Sequence, residues 1–309
     1  MIRRLFLALP TLLAVLTVIF LAIRVVPGDP AAVLMGEEAD ANTLQKFRER
    51  MGLDRPLWEQ YIEFLSGIFR GDLGKSMLTE VPVASQVARA LPYTLELTAG
   101  GIGLGILMGV PLGVLAALHR NRAMDYIGRT FSLIGQAVPS FYLALLLMVL
   151  FALHLGWFPA LGGGVRGNID SVLWHVFLPA LTLGIAKAAY VARMTRAAML
   201  NVLSEDYIRT ARAKGVSEMT VNMVHAFKVA LVPIISVIGV YSIITLGGSV
   251  MVEIVFARPG LGRMMVSGML RRDYTLLQSI MVIFAFFVVI INLGTDLLCG
   301  MVDPRIRYT

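Results

Sequence analysis

Cysteine and acidic residues are scarce in this 309-residue sequence. The one cysteine, Cys299, lies inside an apolar stretch, so an internal disulfide and a cysteine-built metal site are both excluded. Charged residues make up only 15% of the chain, where a soluble domain carries roughly 25%. Asp and Glu together number 20, which excludes a solvated acidic chain. The four histidines, His119, His154, His175 and His225, show no metal-ligand spacing. No Ser/His pair or carboxylate pair with catalytic spacing stands out. Gly74-Lys75-Ser76 ends like a phosphate-binding loop, but that motif needs a glycine where Phe69 stands and a strand before it. ATP binding by this chain is therefore not expected.

Apolar residues are abundant instead. Hydrophobic residues reach 57%, and mean hydropathy is +0.77. A soluble globule of this size has no interior large enough to bury them, which excludes a soluble enzyme. A bilayer core of about 30 Å takes roughly 20 apolar residues as helix. Six segments qualify: Leu5 to Ile23, Leu97 to Leu118, Leu133 to Leu153, Leu173 to Ala192, Val229 to Met251, and Thr275 to Thr295. The fourth holds Lys187 near its basic end, where snorkelling to the interface is expected.

The net charge of +7 comes from short basic runs between these segments. That is the signature of membrane topology rather than of nucleic-acid binding. With both termini inside, the inner segments carry 13 basic residues: Arg3, Arg4, Arg120, Arg122, Arg129, Arg193, Arg196, Arg209, Arg212, Lys214, Lys228, Arg305 and Arg307. The short outer loops carry 5: Arg166, Arg258, Arg263, Arg271 and Arg272. This asymmetry predicts two cytoplasmic termini. Arg3-Arg4-Leu5-Phe6-Leu7 matches the core of a twin-arginine signal, but no small-residue cleavage site follows. A retained first span is expected.

The reading gives an N-terminal span at 1–27, an outer helical region at 28–93, a membrane domain at 94–300 and a short inner tail at 301–309. In the outer region, Pro27-Gly28-Asp29-Pro30 is turn chemistry. Thr43 to Met51 predicts a helix stopped by Gly52, and Pro56 to Phe69 a second helix with Leu57, Tyr61 and Leu65 on one face. In the second span, Gly101, Gly105, Gly109 and Gly113 recur every fourth residue. They form one face where another helix can approach closely, in this chain or in a second subunit. Asn292 and Asp296 share a face of the last span and read as a packing hydrogen bond or an end anchor.

The stretch from Arg193 to Lys228 is too polar for a span and too patterned for a linker. Ser204 is placed to cap a helix whose first turn holds Glu205 and Asp206, where negative charge suits the helix start. Tyr207, Arg209, Thr210, Arg212 and Lys214 follow. Ala211 and Ala213 keep the helix slim, and Gly215 ends it after about three turns. A short capped helix is thus offered to the cytoplasm.

At this stretch the chain resembles the membrane permeases of bacterial ATP-binding-cassette importers. Glu205 to Gly215 is similar to their Glu-Ala-Ala loop in the form used by the dipeptide, oligopeptide and nickel branch, with Arg209-Thr210-Ala211 where the wider family has Glu-Ala-Ala. Further matches run in order along the chain: Pro27-Gly28-Asp29-Pro30, Gly52-Leu53-Asp54, Gly71-Asp72-Leu73-Gly74, Leu178-Pro179, Glu253 with Phe256, Pro259-Gly260-Leu261-Gly262, Arg272-Asp273-Tyr274 and Asp303-Pro304-Arg305. They look most like the first permease subunit of the glutathione or dipeptide type. The resemblance implies an all-α integral membrane protein of the type I importer permease fold, non-catalytic, in the bacterial inner membrane. It implies that Glu205 to Gly215 docks on one of two separate ATPases, which bind the ATP and magnesium. A second permease and an outer substrate-binding protein complete the expected assembly. The rival is a self-contained secondary transporter, which would need paired charges or interrupted helices at mid-bilayer and a second half repeating the first; neither stands out, although Pro111, Pro139 and Pro233 are placed to break helices. A membrane-embedded enzyme would need a convergent catalytic set.

Overall fold

The computed structural model describes residues 2–25, 31–32 and 40–303, with side chains from Leu9 onward in the first helix. The Pro27-Gly28-Asp29-Pro30 turn, the side chains of Arg3 and Arg4, and the tail from Pro304 with Arg305 and Arg307 lie outside the described residues. The described residues are helical apart from loops and one isolated bridge, Lys75 with Pro82. The helices are α1 Ile2–Val25, α2 Ala41–Arg50, α3 Leu57–Phe69, α4 Val83–Leu118, α5 Ala123–Ala137 and α6 Ser140–Leu147. There follow α7 Ile169–Leu203, α8 Asp206–Ala213, α9 Glu218–Val255, α10 Leu261–Leu270 and α11 Tyr274–Val302. Seven-residue π-helical turns extend α6 (Met148–His154) and interrupt α9 (Val221–Phe227).

Five of the six predicted apolar segments each fall within one helix. Four helices, α4, α7, α9 and α11, are long and apolar enough to cross a membrane, and the α5–α6 pair makes a fifth candidate. The described apolar part of α1, Leu9–Val25, is shorter. The third segment is not one straight span, which corrects the reading from Leu133 to Leu153. Its two halves are bent by 102°. Proline explains the break: it lacks an N–H, and its ring pushes the preceding residue out of helical geometry. Val138 accordingly sits at φ −87° and ψ 121°.

The chain forms two compact units. One comprises Met1–Pro92 and Pro259–Val289, the other Tyr93–Arg258 and Ile290–Thr309. In the first, Val83, Val87 and Ala90 of α4 pack with Leu261 of α10 and Leu276 and Ile280 of α11. Ile19 and Ile23 of α1 pack with Ala285. The predicted outer helices are present there. Asp40 caps α2 by accepting from the Thr43 N–H, and Gly52 follows the helix at φ +64°. Helix α3 meets α1 through Tyr61, whose hydroxyl is 2.6 Å from Thr17 Oγ1, and through the rings of Tyr61 and Phe64 against Phe20. Leu57, expected on that packed face, is exposed. Gly74-Lys75-Ser76 forms one side of the bridge to Pro82, leading into a turn at residues 77–79, not a phosphate loop before a helix. Gly74 has φ +72°, and Ser76 Oγ donates to Asp273, the residue whose carboxylate also accepts from the Leu276 N–H at the start of α11.

In the second unit, one cluster joins Leu97, Ala144, Leu178, Leu183, Val252 and Phe256. Another joins Val114, Ala117, Met199, Ile208, Val221, Ala226, Ala230 and Ile234. The second cluster seats the short helix α8.

Candidate functional site

Helix α8 is built around one apolar anchor. Ile208 is fully buried among Val114, Met199, Val221 and Ala230, and Ala211 packs on the same cluster. The remaining side chains face outward: Glu205, Asp206, Tyr207, Arg209, Thr210, Arg212, Ala213 and Lys214 are all exposed. The result is a short rod, apolar below and polar above. Its end is well fixed. The Val216 N–H donates to Ala211 O and the Gly215 N–H to Arg212 O, the paired bonds of a Schellman cap, and Gly215 has φ +76°. The open side of Gly215 meets no atom within 4 Å.

Two details differ from expectation. Helix α8 has eight residues, about two turns rather than three. Its N-cap residue is Glu205, which makes no side-chain capping bond. Ser204 instead closes the preceding helix α7, its Oγ donating to Asn201 O. The connection is so short that one residue ends the first helix and the next begins the second. Exposed ion pairs, Asp206 with Arg209 at 3.3 Å and Arg212 with Glu218 at 2.8 Å, add little to stability.

The base of α7 is held by an ion cluster that no sequence pattern displayed in full. Asp125, in the first turn of α5, is wholly buried. Arg196 grips it with two bonds, Nε to Oδ1 at 2.5 Å and Nη2 to Oδ2 at 2.9 Å. Arg129 grips it with two more, at 3.1 and 2.6 Å, and the Asn121 N–H adds a fifth at 2.9 Å. A carboxylate so saturated by charged donors is rigid. It fastens α5 to α7 close to the point where α7 hands over to α8. The spacing of Asp125 and Arg129 by four residues was a helix-pair signal. Nothing local marks Arg196 as the third member.

The glycine face lies against α7. A Cβ at Gly101 would come within 2.7 Å of Leu183, at Gly105 within 2.7 Å of Lys187, at Gly109 within 2.8 Å of Ala188 and Val191, and at Gly113 within 2.5 Å of the Ala192 carbonyl. All four glycines are buried. The close approach is therefore made inside this chain. It also accounts for Lys187, which does not snorkel as expected. It is 4% exposed, its stem lies against Gly105 and its Nζ donates to the Tyr241 carbonyl. Asn292 is exposed and Asp296 half-buried. No cluster of three or more potential metal ligands occurs among the described residues.

A short polar-faced, glycine-capped helix seated on helices long and apolar enough to cross a membrane places the chain among multi-pass membrane proteins. The chain belongs to the family of binding-protein-dependent transport system inner membrane components. That family's model matches residues 109–308, and the model of its N-terminal domain matches residues 1–98. The chain is thus a permease subunit of an ABC importer, a multi-pass membrane protein. It is 42% identical to the glutathione transport system permease protein GsiC of Pectobacterium atrosepticum over 307 residues, 99% of this chain and 98% of that protein. Identity is also 42% with GsiC of Escherichia coli strain K12 over 308 residues, with the same shares covered. Among solved structures, the inward-facing MetNI methionine ABC transporter matches with a TM-score of 0.58 at 20% identity, over 71% of this chain and 96% of that one. An amino acid ABC transporter with histidines matches with a TM-score of 0.51 at 18% identity, over 72% and 95%. These two likenesses are of fold.

Proposed function

We propose that this chain is one of two permeases in an ATP-driven importer of glutathione or a similar short peptide, coupled to its ATPases through Glu205 to Gly215. Both termini are cytoplasmic, and the chain carries no cofactor or catalytic group of its own. ATP and magnesium are bound by two separate ATPase subunits. A substrate-binding protein outside delivers the solute, and a second homologous permease completes the path. The names of the relatives support the choice of solute, and the charge asymmetry of the loops supports the orientation.

The observation that carries the coupling role is the construction of α8. Ile208 and Ala211 lock it to the spans, while the rest of its surface is polar and uncovered. A partner that grips the polar side would move α8 and α7 together. A rigid-body shift of that partner then biases the spans between two states.

The test is co-purification from the native membrane in mild detergent, wild type beside Gly215→Arg. A second permease and one or two ATPases are expected with wild type. Gly215→Arg is expected to insert normally, to lose the ATPases and to bring ATP-dependent uptake to background, because the added side chain stands in the open space where a partner would sit. Wild-type chain recovered alone would sink the importer reading and favour a self-contained secondary transporter.

A further inference from the structure

The smaller unit contains a cavity of about 380 Å³, within the range of about 300–1,000 Å³ usual for small-ligand pockets. It lies among the end of α1, the α2–α3 turn, α3, the segment after it and the start of α11. Its charges are arranged unevenly. Arg24 is fixed by neutral partners only: its Nε donates to Gln60 Oε1 at 3.1 Å, its Nη1 to Phe20 O and Gln278 Oε1 at 3.3 and 3.4 Å, and its guanidinium lies 3.5 Å over the Phe20 ring. Among the described residues no carboxylate lies within ion-pair distance of it. Beside it, Gln278 is 6% exposed, and its Nε2 has no hydrogen-bond partner among the described residues. A buried amide donor without an acceptor costs free energy, and a half-buried cation without a counter-ion costs more. Two acidic residues also line the cavity, each bonded, among the described residues, through only one of its carboxylate oxygens. Glu63 accepts from Arg55, and Asp72 accepts from the Gly74 N–H.

We propose that this cavity binds a small zwitterionic, carboxylate-bearing solute, with its carboxylate on Arg24 and Gln278 Nε2 and its ammonium toward Glu63 and Asp72. Among the described residues the donor end lacks an acceptor and a negative charge, and a carboxylate supplies both. The acidic residues disfavour a purely anionic occupant and favour one with a positive group a few bonds away. The site deepens the importer reading and rests on it for the peptide-like character of the solute. With the proposed topology the cavity faces outside, where the solute arrives.

The experiment is equilibrium binding of labelled glutathione and of labelled glycylglycine to the full chain with its co-purified partners, in nanodiscs of phosphatidylcholine. Saturable binding of at least one probe is expected in the wild type. Arg24→Gln is expected to weaken it by at least about tenfold, as loss of a charged donor pair does. Gln278→Leu, which removes a neutral donor, is expected to weaken it about threefold. Glutathione diethyl ester, which has no free carboxylate, is expected not to compete. That comparison needs no variant, so it stands even if a substitution disturbs folding. Gly215→Arg is expected to keep full binding, which separates the site from coupling. Absence of saturable binding, equal competition by the diester, or binding unchanged in Arg24→Gln would each overturn the proposal while leaving the importer reading intact. Loss of glutathione binding when phosphatidylethanolamine replaces phosphatidylcholine would reassign the cavity to a lipid headgroup and also overturn it.

Discussion

Gly113 and Gly215 both belong to the larger compact unit, and each is glycine for a different reason. At Gly113 the backbone is ordinary helix, but a Cβ would stand 2.5 Å from the Ala192 carbonyl and 2.6 Å from Thr195 Cβ. At Gly215 there is no atom within 4 Å, but φ is +76°. The first position is restricted by its neighbour, the second by its own backbone. The contrast follows the two tasks of the molecule. Within the bilayer, helices gain little from hydrophobic attraction and must pack by close van der Waals fit, so small residues line the seam. At α8, the proposed docking helix, the need is a sharp stop with open space beyond it.

The strongest way to break this contrast is Gly113→Leu. The added side chain meets backbone, which cannot rotate away, so α4 and α7 must separate. A loss of about 3 kcal/mol or more is expected, at the upper end for overpacked sites. Accumulation in the membrane and thermal stability in detergent measure it. Because Lys187 and its bond to the Tyr241 carbonyl are held by the same seam, the variant is also expected to lower ATP-dependent uptake of whatever protein remains. Near-normal stability would show that the two helices can part without harm and that the seam is not what fixes them.

Much of this seam was legible in advance, and the reason is periodicity. Four glycines at a four-residue interval can only fall on one face of a helix. The partner has a matching signal that the reading did not use: on α7, Ala180, Gly184, Ala188 and Ala192 recur at the same four-residue interval and lie against the glycine face. The long apolar runs predicted helices well, since length and composition suffice for that. The 102° bend falls at Pro139, one of three prolines readable as possible helix breaks, but the segment is equally apolar on both sides, so hydropathy alone ran it as one span. Gly215 was readable as a stop from local chemistry alone. Ser204 was misplaced by one helix because a capping residue looks the same from either side. The Asp125 cluster and the Arg24 cavity depend on residues 71 and 254 positions apart, a distance over which one sequence carries no signal.

A smaller effect sharpens the second half of the contrast. Gly215→Ala adds one methyl in open space, so only the backbone objects. A left-handed conformation costs a residue with a Cβ about 1 kcal/mol. The expected result is a modest drop in melting temperature, a normal helix α8 and most of the wild-type uptake. Set against the full loss expected of Gly215→Arg, it separates strain at the cap from obstruction of a partner. Equal loss in both variants would mean that the cap geometry itself is what the partner reads.

The smallest expected effect is at Gly103, two residues from Gly101 on the same helix. It is exposed, its φ is unremarkable for a helix, and a Cβ there would meet nothing within 4 Å. Neither reason for glycine applies within this chain. Gly103→Ala is therefore expected to stabilise α4 slightly, by about 0.5 kcal/mol, since alanine loses less conformational freedom than glycine in a helix. A thermal melt of the isolated chain reads that gain. The same variant should still recover the second permease and the ATPases in full. If the isolated chain is stabilised but the second permease is lost, Gly103 too is a place of close approach, with the partner permease as the neighbour. The glycines of α4 would then line two seams on opposite faces, one closed by α7 and one by another chain.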